Sequence, residues 1–252
     1  MDIALEHILL LLITGLLAGV INVLAGGGSN LTLPALMVMG MPADIANATN
    51  RVAVGLQNVV AIRSFHQYDK LPTDDLGAIL IPTLIGGFFG AIGASYAPEW
   101  ILKPLLLAVM ITMTIIMLVK PSVISPPPGT IAHKVKEKPS SWWWLAGAGF
   151  YAGFIQAGVG FILITALAGV LRYDLVRTHA LKVVCVLLPT LVALAVFTAR
   201  GQVLWIPGLI LAAGSMVGAY LAVRFAITAK TSTLKWFLLI MTLCGSAAVL
   251  WF

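Results

Sequence analysis

Long apolar runs separated by short polar turns make up nearly the whole chain. They lie near residues 3–41, 44–67, 75–97, 100–120, 142–171, 175–199, 203–227 and 233–252. Each is long enough to cross a hydrocarbon core of about 30 Å. Two are too long for one simple helix, and both are interrupted by glycine. The first breaks at Gly26-Gly27-Gly28 and the second around Gly158 and Gly160. Only residues 121–141 read as clearly aqueous, with Pro126-Pro127-Pro128 followed by Lys134, Lys136, Glu137 and Lys138. Such a stretch is a solvated connector. It separates a first membrane repeat, 1–120, from a second, 142–252.

The two parts resemble each other. Gly15-Leu16-Leu17-Ala18-Gly19-Val20-Ile21-Asn22 aligns with Gly149-Phe150-Tyr151-Ala152-Gly153-Phe154-Ile155-Gln156, with identical glycine spacing and an amide at each end. A glycine break follows in both, then a helix that starts polar, then two plainer spans. The expectation is an all-α integral membrane protein with about eight transmembrane segments. They form two homologous four-segment repeats, the first segment of each broken. Broken helices at corresponding positions of internal repeats point to a secondary-transporter site, whether or not the repeats are inverted. The basic connector favours a cytoplasmic place for that loop, although Lys and Arg are otherwise split evenly between alternate connections.

Composition agrees with this pattern. Sixty per cent of residues are hydrophobic, 10% are charged, and the mean hydropathy is +1.04, whereas soluble domains carry about a quarter of their residues as charges. The lipid bilayer is therefore the first partner. The net charge of +6 comes from Lys and Arg at segment ends, where they anchor helices, so no nucleic acid is expected. Cys185 and Cys244 sit in apolar runs and read as small buried hydrophobes. The start, Met1 to His7, lacks the basic region of a signal peptide and reads as part of a retained first membrane helix. Trp142, Trp143 and Trp144 read as an interfacial belt. No nucleotide-binding loop, His-Glu-x-x-His or cysteine cluster is present, so no cofactor and no metal are expected. Deep acidic residues are also missing, which disfavours a cation site built on carboxylates.

Candidate chemistry gathers at the breaks. Three successive glycines cannot hold a helix in lipid, and bare backbone there costs several kcal/mol per unsatisfied group. Such a break persists only where protein buries it or water fills a cavity beside it. Ser29-Asn30 reads as an N-cap pair for a short helix from Leu31, whose free N–H groups, near Gly27, Gly28, Ser29 and Asn30, make an anion site. Close helix packing is the other reading of membrane glycines, and it suits Gly15/Gly19 and Gly149/Gly153. Gln156, Gly158 and Gly160 are expected to face the first break. Asn50, Gln57 and Asn58 fall on one side of the next helix as oriented donors. Arg51 is either a surface anchor or an anion ligand. Lys182, an intramembrane lysine, is a functional candidate whose alternative is snorkelling to the interface. His179 is either a proton carrier or an incidental loop-end histidine. Asp44 and Asp174 read as helix caps.

These motifs resemble a known family. Gly15-x-x-x-Gly19, Ala25-Gly26-Gly27-Gly28-Ser29, Leu33-Pro34-Ala35-Leu36 and Ala46-Asn47-Ala48-Thr49-Asn50 are similar to the first-half signature of the TauE/SafE sulfite exporters, transporters of the 4-toluene sulfonate uptake permease type. Gly149 through Phe161 resembles the second-half motif of many members. Many of those have a fuller glycine run and a proline there, which this chain lacks. The resemblance implies transport of small sulfur-containing anions, sulfite or organosulfonates such as sulfoacetate, often as export across the bacterial cytoplasmic membrane. A sulfonate carries one charge on three oxygens and suits the donors named above. An anion channel using the same site is the alternative. An enzyme is not expected, since no nucleophile–base pair is present. A homodimer is left open.

Overall fold

The computed structural model describes residues 5–98, 100–106, 108, 109, 112, 126 and 130–229. Of the expected spans, 233–252 lies wholly and 100–120 largely outside the described residues. So do Cys244 and most of the proline-rich part of the connector. Among the described residues the chain is all helical, with no strand. The helices are α1 (Leu5–Leu24), α2 (Ser29–Val38), α3 (Ala43–Gln67), α4 (Leu76–Tyr96), α5 (Ser140–Phe154), α6 (Val159–Ile164), α7 (Leu175–Ala199) and α8 (Trp205–Thr228). A π-helical turn, Thr165–Val170, continues α6. Four helices, α1, α4, α7 and α8, are long and apolar enough to cross a membrane. The polar α3 is longer than three of them, but most of its residues are buried against other helices.

Glycine decides which helices touch. A Cβ on Gly15 or Gly19 would collide with the carbonyls of Leu211 and Ser215 on α8; one on Gly149 or Gly153 would collide with those of Thr83 and Gly87 on α4. The packing reading of these paired glycines therefore holds, and backbones approach closely as small residues in membranes allow. The same contacts fix direction. Residue numbers rise together along α1 and α8, along α4 and α5, and along α3 and α8, where Thr49 meets Leu204 and Ala53 meets Ser215. On α4, Gly87 meets Pro189, and Ala91 and Ala94 cluster with Ala193 and Phe197, so α4 and α7 also run together. By contrast α3 opposes α7: Arg51 lies over Phe197, Gly55 near Thr190, and Ala61 clusters with Ala180 and Val183. Helices α1, α3 and α8 thus point one way and α4, α5 and α7 the other. Helices α1, α3 and α4 therefore run opposite to α5, α7 and α8 respectively.

The expected connector is partly docked rather than free. Val135 is buried, its N–H donates to Asp75 Oδ2 at 2.7 Å, and His133 N–H donates to the Leu171 carbonyl at 2.8 Å. Asp174 caps α7 as expected, accepting from the Arg177 N–H at 3.0 Å. Asp44 does not cap α3; Pro42 holds that place, and Asp44 Oδ2 accepts instead from Gln202 Nε2 at 3.4 Å.

Candidate functional site at the meeting of two helix breaks

Both broken helices end in a left-handed residue, which turns the chain out of the helix. In the first half this is Gly26, φ +87°, whose N–H still reaches the Ile21 carbonyl. In the second it is Gln156, φ +69°, bonded likewise to the Tyr151 carbonyl. A glutamine there is strained where a glycine would not be. Its place is held by a hydrogen bond from Nε2 to Thr190 Oγ1 at 3.0 Å.

The breaks meet. The offset that matches Gly15 to Gly149 also matches Gly26 to Gly160, and these two glycines touch backbone to backbone. A Cβ on either would strike the other's Cα. The Gly160 N–H points at the Gly26 carbonyl, 3.4 Å away. Gly158, φ +79°, precedes α6 and shapes the second break.

Beside this contact lies a narrow cavity of about 10 Å³ lined by Asn22, Gln57, Asn58, Gln156 and Lys182 over an apolar wall of valines. It has room for about one water. Five of the sequence candidates therefore share one space: Gln57, Asn58, Gln156, Gly160 and Lys182. Gln57 Nε2, Asn58 Nδ2 and Gln156 Oε1 are buried there without a hydrogen-bond partner. Buried amides are normally satisfied, so three with spare capacity around one cavity are unusual.

The other candidates are elsewhere. Gly28, not Ser29 or Asn30, stands at the cap of α2, and its N–H is taken by Asn22 Oδ1 at 2.8 Å. The N–H groups of Asn30, Leu31 and Thr32 turn back to the carbonyls of Gly27 and Gly28. Only those of Gly27 and Ser29 find no acceptor among the described residues, fewer backbone donors than the sequence implies. Ser29 and Thr32 are tied to Asn50, whose Nδ2 donates to Ser29 Oγ at 3.1 Å and whose Oδ1 accepts from Thr32 Oγ1 at 2.7 Å. Asn50 thus clips α2 to α3 and does not line the cavity. Asn30 is buried with Oδ1 unpaired, also away from the cavity lining.

Two buried cations hold the broken ends. Arg51 is fully buried and neither snorkels nor reaches the cavity. Its guanidinium donates to the carbonyls of Ala152, Gly153 (3.0 Å) and Phe154 (3.3 Å), the last turn of α5, and to Asn47 Oδ1 (3.3 Å). Lys182, 1% exposed, donates from Nζ to the carbonyls of Asn22 (3.0 Å) and Val23 (2.7 Å), the last turn of α1. Both satisfy carbonyls that a helix end leaves unpaired and offset the negative end of its dipole. A lysine has three donors. Two are spent on carbonyls, while the side chain also borders the cavity. No Asp or Glu is buried among the described residues, and their ion pairs, His133–Glu137 and Arg177–Asp174, are exposed. A half-charge at a helix end does not cancel a full cation, so the cavity keeps a positive excess.

Sequence reasoning missed Asn22 and Gly26 as cavity residues. The signal was present, since the repeat offset pairs them with Gln156 and Gly160. His179 is not at a loop end: it is fully buried inside α7, with both ring nitrogens unpaired.

The family model described as "Sulfite exporter TauE/SafE" matches residues 11–249. A "probable membrane transporter protein" of Haemophilus influenzae is 27% identical over 253 residues, covering 100% of this chain and 97% of its own. The "probable membrane transporter protein YfcA" of Escherichia coli K12 is 25% identical over 243 residues, 96% of this chain and 88% of its own. A "probable membrane transporter protein ORF9" from Sinorhizobium is 23% identical over 244 residues, 96% and 92% of the two lengths.

Proposed function

The chain belongs to the sulfite exporter TauE/SafE family of multi-pass membrane transporters, and we propose that it moves small sulfur-containing anions, sulfite or organosulfonates such as sulfoacetate, by alternating access. The substrate binds between the two breaks, which part to admit it, since the cavity as it stands holds about one water. Lys182 supplies the charge, Gln57 and Asn58 donate to the anion's oxygens, and Asn22 and Gln156 complete the ring of amides. Eight spans in two inverted four-segment repeats enclose it, in the cytoplasmic membrane of a bacterium, and export is the physiological direction.

One observation carries the reading: a buried lysine without an acidic partner borders a cavity ringed by unsatisfied amide groups. Such an arrangement favours an anion, since a cation would meet Lys182 unopposed. Opposed helix directions in the two halves support a carrier, because reversing one half against the other exposes the same site to the other side. The sulfur chemistry comes from the family.

Reconstitution tests this. Proteoliposomes are loaded with sulfite, sulfoacetate, sulfolactate, taurine, sulfate or thiosulfate in turn, with and without a pH gradient and a potential. Saturable flux of a sulfur anion, accelerated by the same anion on the far side, is the expected result. Flux that neither saturates nor exchanges would establish a channel instead, and no flux of any of them would end the reading.

A further inference from the structure

His179 has no part in the site as described, yet it is the least comfortable polar group in the bundle. The ring is fully buried in α7, and neither Nδ1 nor Nε2 has a partner. A neutral imidazole offers one donor and one acceptor, and burying both unpaired is costly. Intramembrane ionisable residues persist at such cost mainly where they work.

Its position says what the work is. Cavity-lining residues of α7 are Lys182, Val183 and Val186. His179 precedes them at the three- and four-residue spacing that keeps side chains on one face. It therefore lies on the face of α7 that borders the cavity, about one turn beyond Lys182 and behind the residues that line it. We propose that His179 is the site at which a proton binds together with the transported anion. This rests on the anion site assigned above and adds its coupling partner.

The coupling is electrostatic. With the cavity empty, Lys182 repels a proton from the imidazole one turn away. An anion at Lys182 cancels that repulsion and supplies an attraction, so anion and proton bind cooperatively, and each raises affinity for the other equally. On α7 itself Arg177 and Asp174 pair with each other at the exposed start of the helix. On α3, which packs against α7, Arg51 lies at the far end opposite Phe197, and Arg63 and His66 are exposed. Asp44 lies beyond Arg51 at the start of α3. Helices α4, α5 and α6 and the π-helical turn carry no charged side chain. From α1 the carbonyls of Asn22 and Val23, the Asn22 side chain and apolar Ile21 and Leu24 reach this region, while its Glu6 and His7 stand at the opposite end. Around Ala180 and Val183 the packing is apolar, from Ile21, Leu24, Ala61 and Phe65. Each turnover then moves one fewer negative charge than the anion carries, and acid on the loading side speeds it.

The test uses full-length protein in proteoliposomes containing a trapped pH dye, with whichever anion of the panel the wild type carries. His179→Gln serves as the reference for protons that anion brings by itself. Wild type is expected to move about one extra proton per anion and to run faster at acid pH. His179→Gln and His179→Asn, with unchanged thermal unfolding, are expected to lose the extra proton, and their remaining flux no longer to vary with pH. Current measured on wild type alone gives a variant-free check, reading one charge less per anion. The proposal is overturned if wild type moves the anion's full charge, or if folded variants keep the wild-type proton flux and pH profile. A wild type that carries none of the anions overturns the transport reading itself, a result distinct from anion flux without protons.

Discussion

Arg51 and Lys182 are crosswise counterparts. Arg51 on α3 of the first half holds the carbonyl end of α5 in the second, and Lys182 on α7 of the second holds the carbonyl end of α1 in the first. They stand at the ninth residue of α3 and the eighth of α7. Each half therefore keeps the other's break in place. The two differ in one respect that matters for function: Arg51 is enclosed by protein carbonyls, whereas Lys182 also borders the cavity.

Arg51 is accordingly a structural cation. Replacing it with Met leaves the last carbonyls of α5 unpaired in a buried place. It is expected to cost about 3–5 kcal/mol, the range for breaking a buried charged contact. Arg51→Lys keeps the charge but loses the fork that reaches several carbonyls. Thermal unfolding in detergent should rank the wild type above Arg51→Lys, with Arg51→Met lowest. A loss of anion affinity with undiminished stability would make Arg51 a ligand after all.

Lys182 should act on transport as well as on stability. Lys182→Met removes a charge-assisted hydrogen bond to the anion, worth about 1.5–3 kcal/mol, and the half-saturating concentration should rise about 10- to 100-fold. Uptake curves at graded substrate check this. Equal affinity in a folded variant would place the anion elsewhere.

Gln57 and Asn58 give the opposite signature. Both bury a donor that the protein does not use, so Gln57→Leu and Asn58→Leu should leave unfolding temperatures unchanged or raise them, because an unpaired buried polar group is removed. Transport affinity should nevertheless fall about tenfold, the equivalent of about one hydrogen bond. Paired melting and uptake measurements separate a ligand group from a packing group, since packing residues lose both together.

Glycines with and without neighbours form an internal control. Gly160→Ala drives a Cβ into Gly26, and Gly28→Ala drives one into the Ala18 carbonyl. Both should destabilise by about 1–3 kcal/mol through overpacking, so a bulky residue at Gly28 does not spare the fold. At Gly147 an added Cβ meets nothing within 4 Å, and Gly147→Ala should be neutral or stabilising by up to about 1 kcal/mol from helix propensity. Similar losses at Gly147 and Gly160 in an unfolding assay would contradict the contact.

Much of this architecture was legible in the chain. The apolar runs located every described helix to within a few residues, and the triple glycine and Gly158–Gly160 located both breaks. The paired glycines announced close packing because nothing else explains small residues at four-residue spacing in a membrane helix. Hydrogen-bond partners were not legible. Ser29 looks like a cap, yet Asn50 reaches its hydroxyl from another helix. Arg51 looks like an anchor because a residue early in a span is near the surface in an isolated helix. Here α5 ends in mid-bundle and brings unpaired carbonyls to it.

The sequence by itself determined that the chain lies in a membrane, that similar glycine motifs recur in its two parts, and where its helices fail. Those features rest on local physics: hydropathy over a span, and backbone freedom at glycine. Only the tertiary structure decided that Gly26 meets Gly160, that the halves run in opposite directions, and that each buried cation serves the other half. Such relationships join residues more than a hundred positions apart. No local propensity encodes them, because they arise from how unpaired carbonyls, amides and charges find partners where no water can supply them.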